Sequence, residues 1–165
     1  MNKNFEGDLH KANIFVRYLK RRFGWQYEST HPKEQFMPDV DVVLVSKEGR
    51  ENLLTQITEA RAWKETFGKE PGRRGVPIFR LNLISESIVK KEEKYKRQEA
   101  DTANLILLIY EAIDPDLIRY DVDATKHQNS SFRGIYVVSP LLVRSKRHES
   151  QRKQDEMVFV IKDAF

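Results

Sequence analysis

The sequence predicts an α/β protein whose mixed β-sheet is flanked by helices. Residues 104–110, NLILLIY, are apolar without alternation. That is how a strand covered on both faces reads, typically in a parallel arrangement. Residues 39–45, DVDVVLV, and 52–58, NLLTQIT, flank SKEGRE. A glycine-containing turn between two extended runs marks a hairpin. A helical pattern over 83–98 separates this hairpin from the 104–110 run, so a right-handed strand–helix–strand crossover is expected.

The remaining elements follow in chain order. Leu9, Ala12, Val16, Leu19 and Phe23 recur at three or four residues and Gly24 follows, which predicts a helix over 5–23 with a glycine stop. Lys11, Arg17, Lys20, Arg21 and Arg22 occupy the other side. WQYEST reads as a short strand and HPKEQFMP as a loop. Residues 59–82 form a basic insertion punctuated by glycine and proline, long for a connection and therefore a sign of function or of a short extra helix. The helix over 83–98 carries Ile84, Ile88, Lys91 and Tyr95 on one stripe. The polar stretch 114–132 reads as a loop, RGIYVVS (133–139) as a strand, RSKRHESQRKQ as a basic connector and MVFVIKD (157–163) as the last strand. A single domain over 1–165 is expected at this length.

Composition narrows the function classes. Hydrophobic residues are 39% and charged residues 33%, with 29 Lys and Arg against 25 Asp and Glu, a net charge of +4. This mild positive balance permits a nucleic-acid partner. The absence of cysteine excludes disulfide frameworks and thiolate metal sites. MNKNFEGDLHK has no apolar signal core, and no stretch approaches ~20 apolar residues. A cytoplasmic protein with no membrane association is expected. His10, His31, His127 and His148 have no metal-ligand spacing, GKEPGRRG lacks the GK[ST] ending of a phosphate loop, and there is no GxGxxG.

The hairpin is where chemistry concentrates. Asp39 and Asp41 share strand parity, and a turn near 48–49 sets Asp41 near the level of Gln56 and Thr58. Carboxylate, amide oxygen and backbone carbonyl are the hard ligands that Mg²⁺ takes. Each residue also has an ordinary explanation. Glu6 suits a helix N-terminus, Asp39 and Asp41 suit a turn, and Gln56 and Thr58 suit a hydrogen-bonded buried pair. The Lys and Arg runs suit solvated faces, and Tyr95 suits the core.

PDVDVV, in which Pro38 and Asp39 give the PD, followed by QIT, resembles the motif of the PD-(D/E)XK nuclease superfamily. The resemblance spans about residues 5–139 and implies a restriction-endonuclease-like mixed β-sheet with a core of helix, β-meander, helix and strand. Gln56 falls on the acidic-or-Gln position and Thr58 on the lysine position, a departure, because threonine supplies no positive charge. A lysine from the second helix can replace it. Lys91 shares the stripe with Ile88 and is the first candidate; Lys94 and Arg61 are the others. The resemblance implies a catalytic set of Asp41, Gln56, Thr58 and Lys91. It implies Mg²⁺ (or Mn²⁺) on Asp41, the Gln56 side chain and the Ile57 carbonyl, with Glu6 from the first helix. Which of Asp39 and Asp41 is the ligand stays open. It further implies DNA as partner, contacted by Arg21, Arg73, Arg74 and Lys94, and leaves a homodimer open. Two functions are compatible with it: a Mg²⁺-dependent endonuclease hydrolysing DNA phosphodiesters, or a catalytically inactive nucleic-acid-binding or assembly module. A small-molecule enzyme would instead need a closed apolar pocket.

Overall fold

The structure, a computed structural model, describes residues 5–33, 39–60, 82–111, 115–140 and 157–165. Helix α1 spans Phe5–Phe23. Ala12, Phe15 and Leu19 lie on one stripe and are fully buried, while Lys20, Arg21 and Arg22 crowd the last turn, where cations favour the helix dipole. Gly24 closes the helix at φ +74° with its N–H on the Lys20 carbonyl at 2.9 Å, a conformation that glycine adopts without a side-chain penalty.

Strands β1 (Tyr27–Thr30), β2 (Val42–Ser46) and β3 (Leu53–Glu59) form an antiparallel meander, with Tyr27 opposite Ser46 and Val42 opposite Thr55. Helix α2 (Leu83–Arg97) follows, and then β4 (Leu105–Tyr110) lies parallel to β3 with Leu107 opposite Gln56. Strand β5 (Gly134–Ser139) is parallel to β4, and β6 (Met157–Lys162) is antiparallel to β5. The six strands lie in chain order in one mixed sheet.

The two faces of this sheet have separate cores. Ala12, Phe15 and Leu19 of α1 pack with Ile57, Ile106, Leu108 and Tyr136 on one face. Ile84, Ile88 and Tyr95 of α2 pack with Leu105, Leu107, Ile109 and Val137 on the other. Successive residues of β4 therefore enter opposite cores, which is why this strand is apolar at every position.

Two expectations need correction. Residues 114–132 are not a plain loop: they hold helix α3 (Pro115–Asp121) and a 3₁₀ turn, Ala124–His127. The signal was Ile118 and Val122, four residues apart and both buried, set among charges that made the stretch read as polar. Strand β2 begins at Val42 rather than at residue 39, so Asp39 and Asp41 precede the strand. Of the 59–82 insertion, residues 61–81 lie outside the described residues. Among the described residues, no helix is long and apolar enough to cross a membrane.

Candidate active site at the carboxyl end of β3

Regular pairing of β2 with β3 stops at Val42. Just before it, the Asp41 N–H bonds the Thr55 carbonyl at 2.9 Å, and Asp41 Oδ2 accepts the Ile57 N–H at 2.8 Å. A side chain thus stands where the next ladder partner would be, and Asp41 brackets Gln56 from the edge of the sheet. Backbone groups two residues apart on a strand leave on the same side. The Ile57 carbonyl accordingly points to the edge where Asp41 sits.

Asp41 is half-buried and its neighbours come from both faces. Burial pushes its carboxyl above the usual range, and the Asp8 and Asp39 charges add to that; the Ile57 N–H and the Lys91 ammonium oppose it. Asp8 belongs to α1 and Lys91 to α2, so Asp41 feels charges carried by helices on both faces of the sheet. Lys91 shares a face with Ile84, Ile88 and Tyr95. Burial and the neighbouring Lys94 lower its pKa, whereas Asp41 and Asp39 hold it up. Asp41 and Lys91 therefore feel each other's charge. Lys94 Nζ lies 3.6 Å from Asp39 Oδ2, both partly exposed.

The interior side of the site is polar as well. Gln56 faces α2, on the same face as its partner Leu107. Tyr95 Oη lies near Gln56, Asp39 and Asp41; burial and the two carboxylates push its pKa to about 12, and the Gln56 carboxamide opposes them. The approach of Gln56 and Tyr95 is not aligned as a full hydrogen bond, and among the described residues neither Gln56 Oε1 nor the Tyr95 hydroxyl has a partner of good geometry. Thr58 lines an open cavity of about 250 Å³ between the end of β3 and α2, together with Glu59, Ser87, Lys90, Lys91 and Lys94. In α/β sheets the carboxyl ends of parallel strands are the usual ligand side.

Helix α1 is pinned to this end of the sheet. Lys11, only 8% exposed, places Nζ 2.6 Å from Glu59 Oε1, 4.0 Å from Asp8 Oδ1 and 5.0 Å from the Tyr110 ring centre. Buried lysines need such partners.

The structure thus brings together Asp39, Asp41, Gln56, Ile57, Thr58, Lys91 and Lys94. Glu6 is exposed in the first turn of α1, and Asp8 is the α1 carboxylate whose charge reaches Asp41. Asp8 stands one turn before Ala12 on the buried stripe of Ala12, Phe15 and Leu19, and Glu6 does not. Tyr95 as a polar neighbour of Gln56 had no signal beyond its stripe. Arg21 is exposed in the last turn of α1. Its neighbour Arg22 reaches Asp163 at 3.1 Å, beyond β6 and at the other end of the sheet. Pro38, Arg61, Arg73 and Arg74 lie outside the described residues.

The donor set bears on a metal. Among the described residues, no three Asp, Glu, His or Cys side chains converge as a metal-binding group. The oxygens at hand are the Asp41 carboxylate, the Ile57 carbonyl and the orphaned buried Gln56 Oε1. One carboxylate with neutral oxygens suits Mg²⁺, which keeps several of its waters. No protein family, curated protein or solved structure matches this chain.

Proposed function

We propose that the chain is a restriction-endonuclease-like domain that hydrolyses DNA phosphodiesters with Mg²⁺ or Mn²⁺. The observation that carries this reading is half-buried Lys91, which lines one cavity with Thr58 and whose positive charge favours the ionised form of Asp41. The PD-(D/E)XK pattern needs a positive charge beside its acid, and Thr58 does not supply one. The order of α1, antiparallel meander, α2 and a strand parallel to β3 agrees with the core that the resemblance implies.

Asp41, Gln56 Oε1 and the Ile57 carbonyl would hold the ion. Bound there, it would polarise the phosphate and lower the pKa of a bound water. Lys91 stabilises negative charge at the phosphate, more strongly than an exposed lysine because its surroundings are partly desolvated. Thr58 lines the same cavity. Lys90 and Lys94, which line the same cavity, hold the backbone of the polymer. Asp8 adds negative charge from the α1 face and raises the affinity for a cation.

A catalytically silent DNA-binding or assembly module is the second reading. Lys94 already balances Asp39, and the described acids do not converge in threes. Calorimetric titration of Mg²⁺ and Mn²⁺ into wild type and Asp41→Ala, followed by plasmid nicking, separates the two. Metal binding and nicking by wild type, both lost in Asp41→Ala, support the nuclease. Metal-independent DNA binding by wild type without nicking supports the module.

A further inference from the structure

The end of the sheet away from the candidate site carries an aromatic cluster faced with arginines. Phe23 ends α1, Trp25 precedes β1 and Phe165 follows β6. Phe23 and Trp25 stack with centroids 4.2 Å apart at 17°, and Phe165 meets Trp25 edge-on at 5.2 Å and 85°. Phe23 and Trp25 also pack against the core under α1, which fixes the stack. Arg50, from the turn between β2 and β3, places its guanidinium 4.5 Å from the centre of the Trp25 ring. Phe23 already covers one face of that ring, so Arg50 covers the other. Arg22 lies over Phe23 at 5.1 Å and Arg133 over Phe165 at 5.3 Å.

A cluster that only closed the sheet would need cover and nothing more. Two features go further. The Arg50 side chain is 47% exposed, and its ion pair with Glu48 spans 3.6 Å, longer than a hydrogen bond. Its inner face rests on Trp25, so the outer face of the guanidinium is a flat, charged surface open to solvent. The second feature is charge. Exposed Lys20, Arg21 and Lys47 add to Arg22, Arg50 and Arg133 at this end, against Glu48, Glu51 and Asp163, a balance that attracts a polyanion. The Arg22–Asp163 and Arg133–Glu51 pairs are part-exposed, and such pairs hold their partners weakly. A partner with both flat rings and negative charge matches both features. Bases stack on guanidinium planes and aromatic faces while phosphates take the cations. An acidic peptide offers the charge without the rings, and the bases of a duplex are already stacked on one another.

We infer that the Phe23–Trp25–Arg50 stack is a platform for the unpaired bases of a single-stranded nucleic acid. A base lies on the outer face of Arg50, and the surrounding cations take the neighbouring phosphates. The platform shares a polyanionic partner with the function proposed above. It uses none of the residues assigned there to the metal or to cleavage, and it stands whether or not the chain cuts DNA.

The test uses the full chain carrying Trp63→Phe, which leaves Trp25 as its single tryptophan. Trp25 fluorescence is followed at about 50 mM salt against an oligothymidylate of about twelve nucleotides, an abasic deoxyribose-phosphate strand of the same length, and polyglutamate. Anisotropy of the labelled strands with the unsubstituted chain repeats the comparison without that substitution. Oligothymidylate should quench Trp25 and bind about fivefold or more tighter than the abasic strand, the lower end of what stacking one base carries. Arg50→Lys keeps the charge and removes the plane; it should erase that difference and leave binding of the abasic strand unchanged. Equal affinity for oligothymidylate and the abasic strand overturns the inference. So does an Arg50→Lys protein that keeps the full preference for bases. Polyglutamate bound as tightly as oligothymidylate overturns it too and assigns the surface to an acidic protein partner. Mg²⁺-dependent plasmid nicking is measured on the same proteins. Base-dependent binding without nicking supports the platform and removes the nuclease reading, whereas nicking without base-dependent binding overturns the platform alone.

Discussion

Replacing Asp41 separates its hydrogen bond from its charge. Its folded-state pKa is raised above the ordinary 3.8, chiefly by burial. The folded protein therefore holds the Asp41 proton more tightly than the unfolded chain does. Stability from this group is fully present below the unfolded pKa and is lost as pH rises through the raised folded value. At pH 7 ionised Asp41 works against folding. Asp41→Asn keeps an oxygen for the Ile57 N–H, now 2.8 Å from Oδ2, and removes the desolvated charge. It should be more stable than wild type at pH 7, and the difference should vanish below about pH 3.8, where Asp41 is neutral in both states. Asp41→Ala leaves the part-buried Ile57 N–H without its acceptor, which costs about 2 kcal/mol relative to Asp41→Asn. With a urea slope of about 2 kcal/mol per molar, the Ala midpoint should lie about 1 M below the Asn midpoint. Urea unfolding by circular dichroism at pH 7 and pH 3.5 measures both quantities. An Asn variant less stable than wild type at pH 7, or Ala and Asn variants with equal midpoints, would refute the reasoning. Both variants should fail to bind Mg²⁺, so for Asp41→Asn a gain in stability accompanies a loss of function.

Lys91→Met keeps the aliphatic stem and should reduce Mg²⁺-dependent nicking about 10²–10³-fold with a near-native melting curve; Thr58→Lys in that background should restore part of the rate, and wild-type nicking by Lys91→Met would show that the charge comes from elsewhere. DNA affinity should fall about tenfold or more between about 50 and about 200 mM salt, as several Lys and Arg contacts release counterions; fluorescence anisotropy that is flat across this range would exclude a phosphate-tracking surface. Gly134→Ala should destabilise by about 1–3 kcal/mol, because its Cβ would lie 2.6 Å from Ala164 Cβ and 2.9 Å from the Tyr136 ring; an unchanged melting temperature would mean that the chain end beside β5 yields freely.

The sequence by itself determined the elements whose signals are local. Apolar spacing of three or four residues placed α1, and Gly24 ended it, because a helix exposes one stripe to the core wherever it packs. The unbroken apolar run of β4 announced two covered faces, since alternate side chains enter opposite layers. The hairpin register was legible too: the turn near 48–49 puts Val42 opposite Thr55. Only the tertiary structure decided what meets what. Which α1 carboxylate reaches Asp41 depends on where the first turn of that helix lands over the sheet, and this favoured Asp8 over Glu6. That Lys91 feels Asp41 follows from α2 covering the Gln56 face with Lys91 on its stripe and Asp41 just before the start of β2, a relation between segments about 50 residues apart. Helix α3 escaped notice because seven residues give too short a period to read among charges, and its burial came from packing under α2. The Asp41 side chain took the place of a ladder partner because the strand before Val42 leaves the sheet. Where a strand leaves its ladder is set by the packing around it, and no local run of residues encodes that.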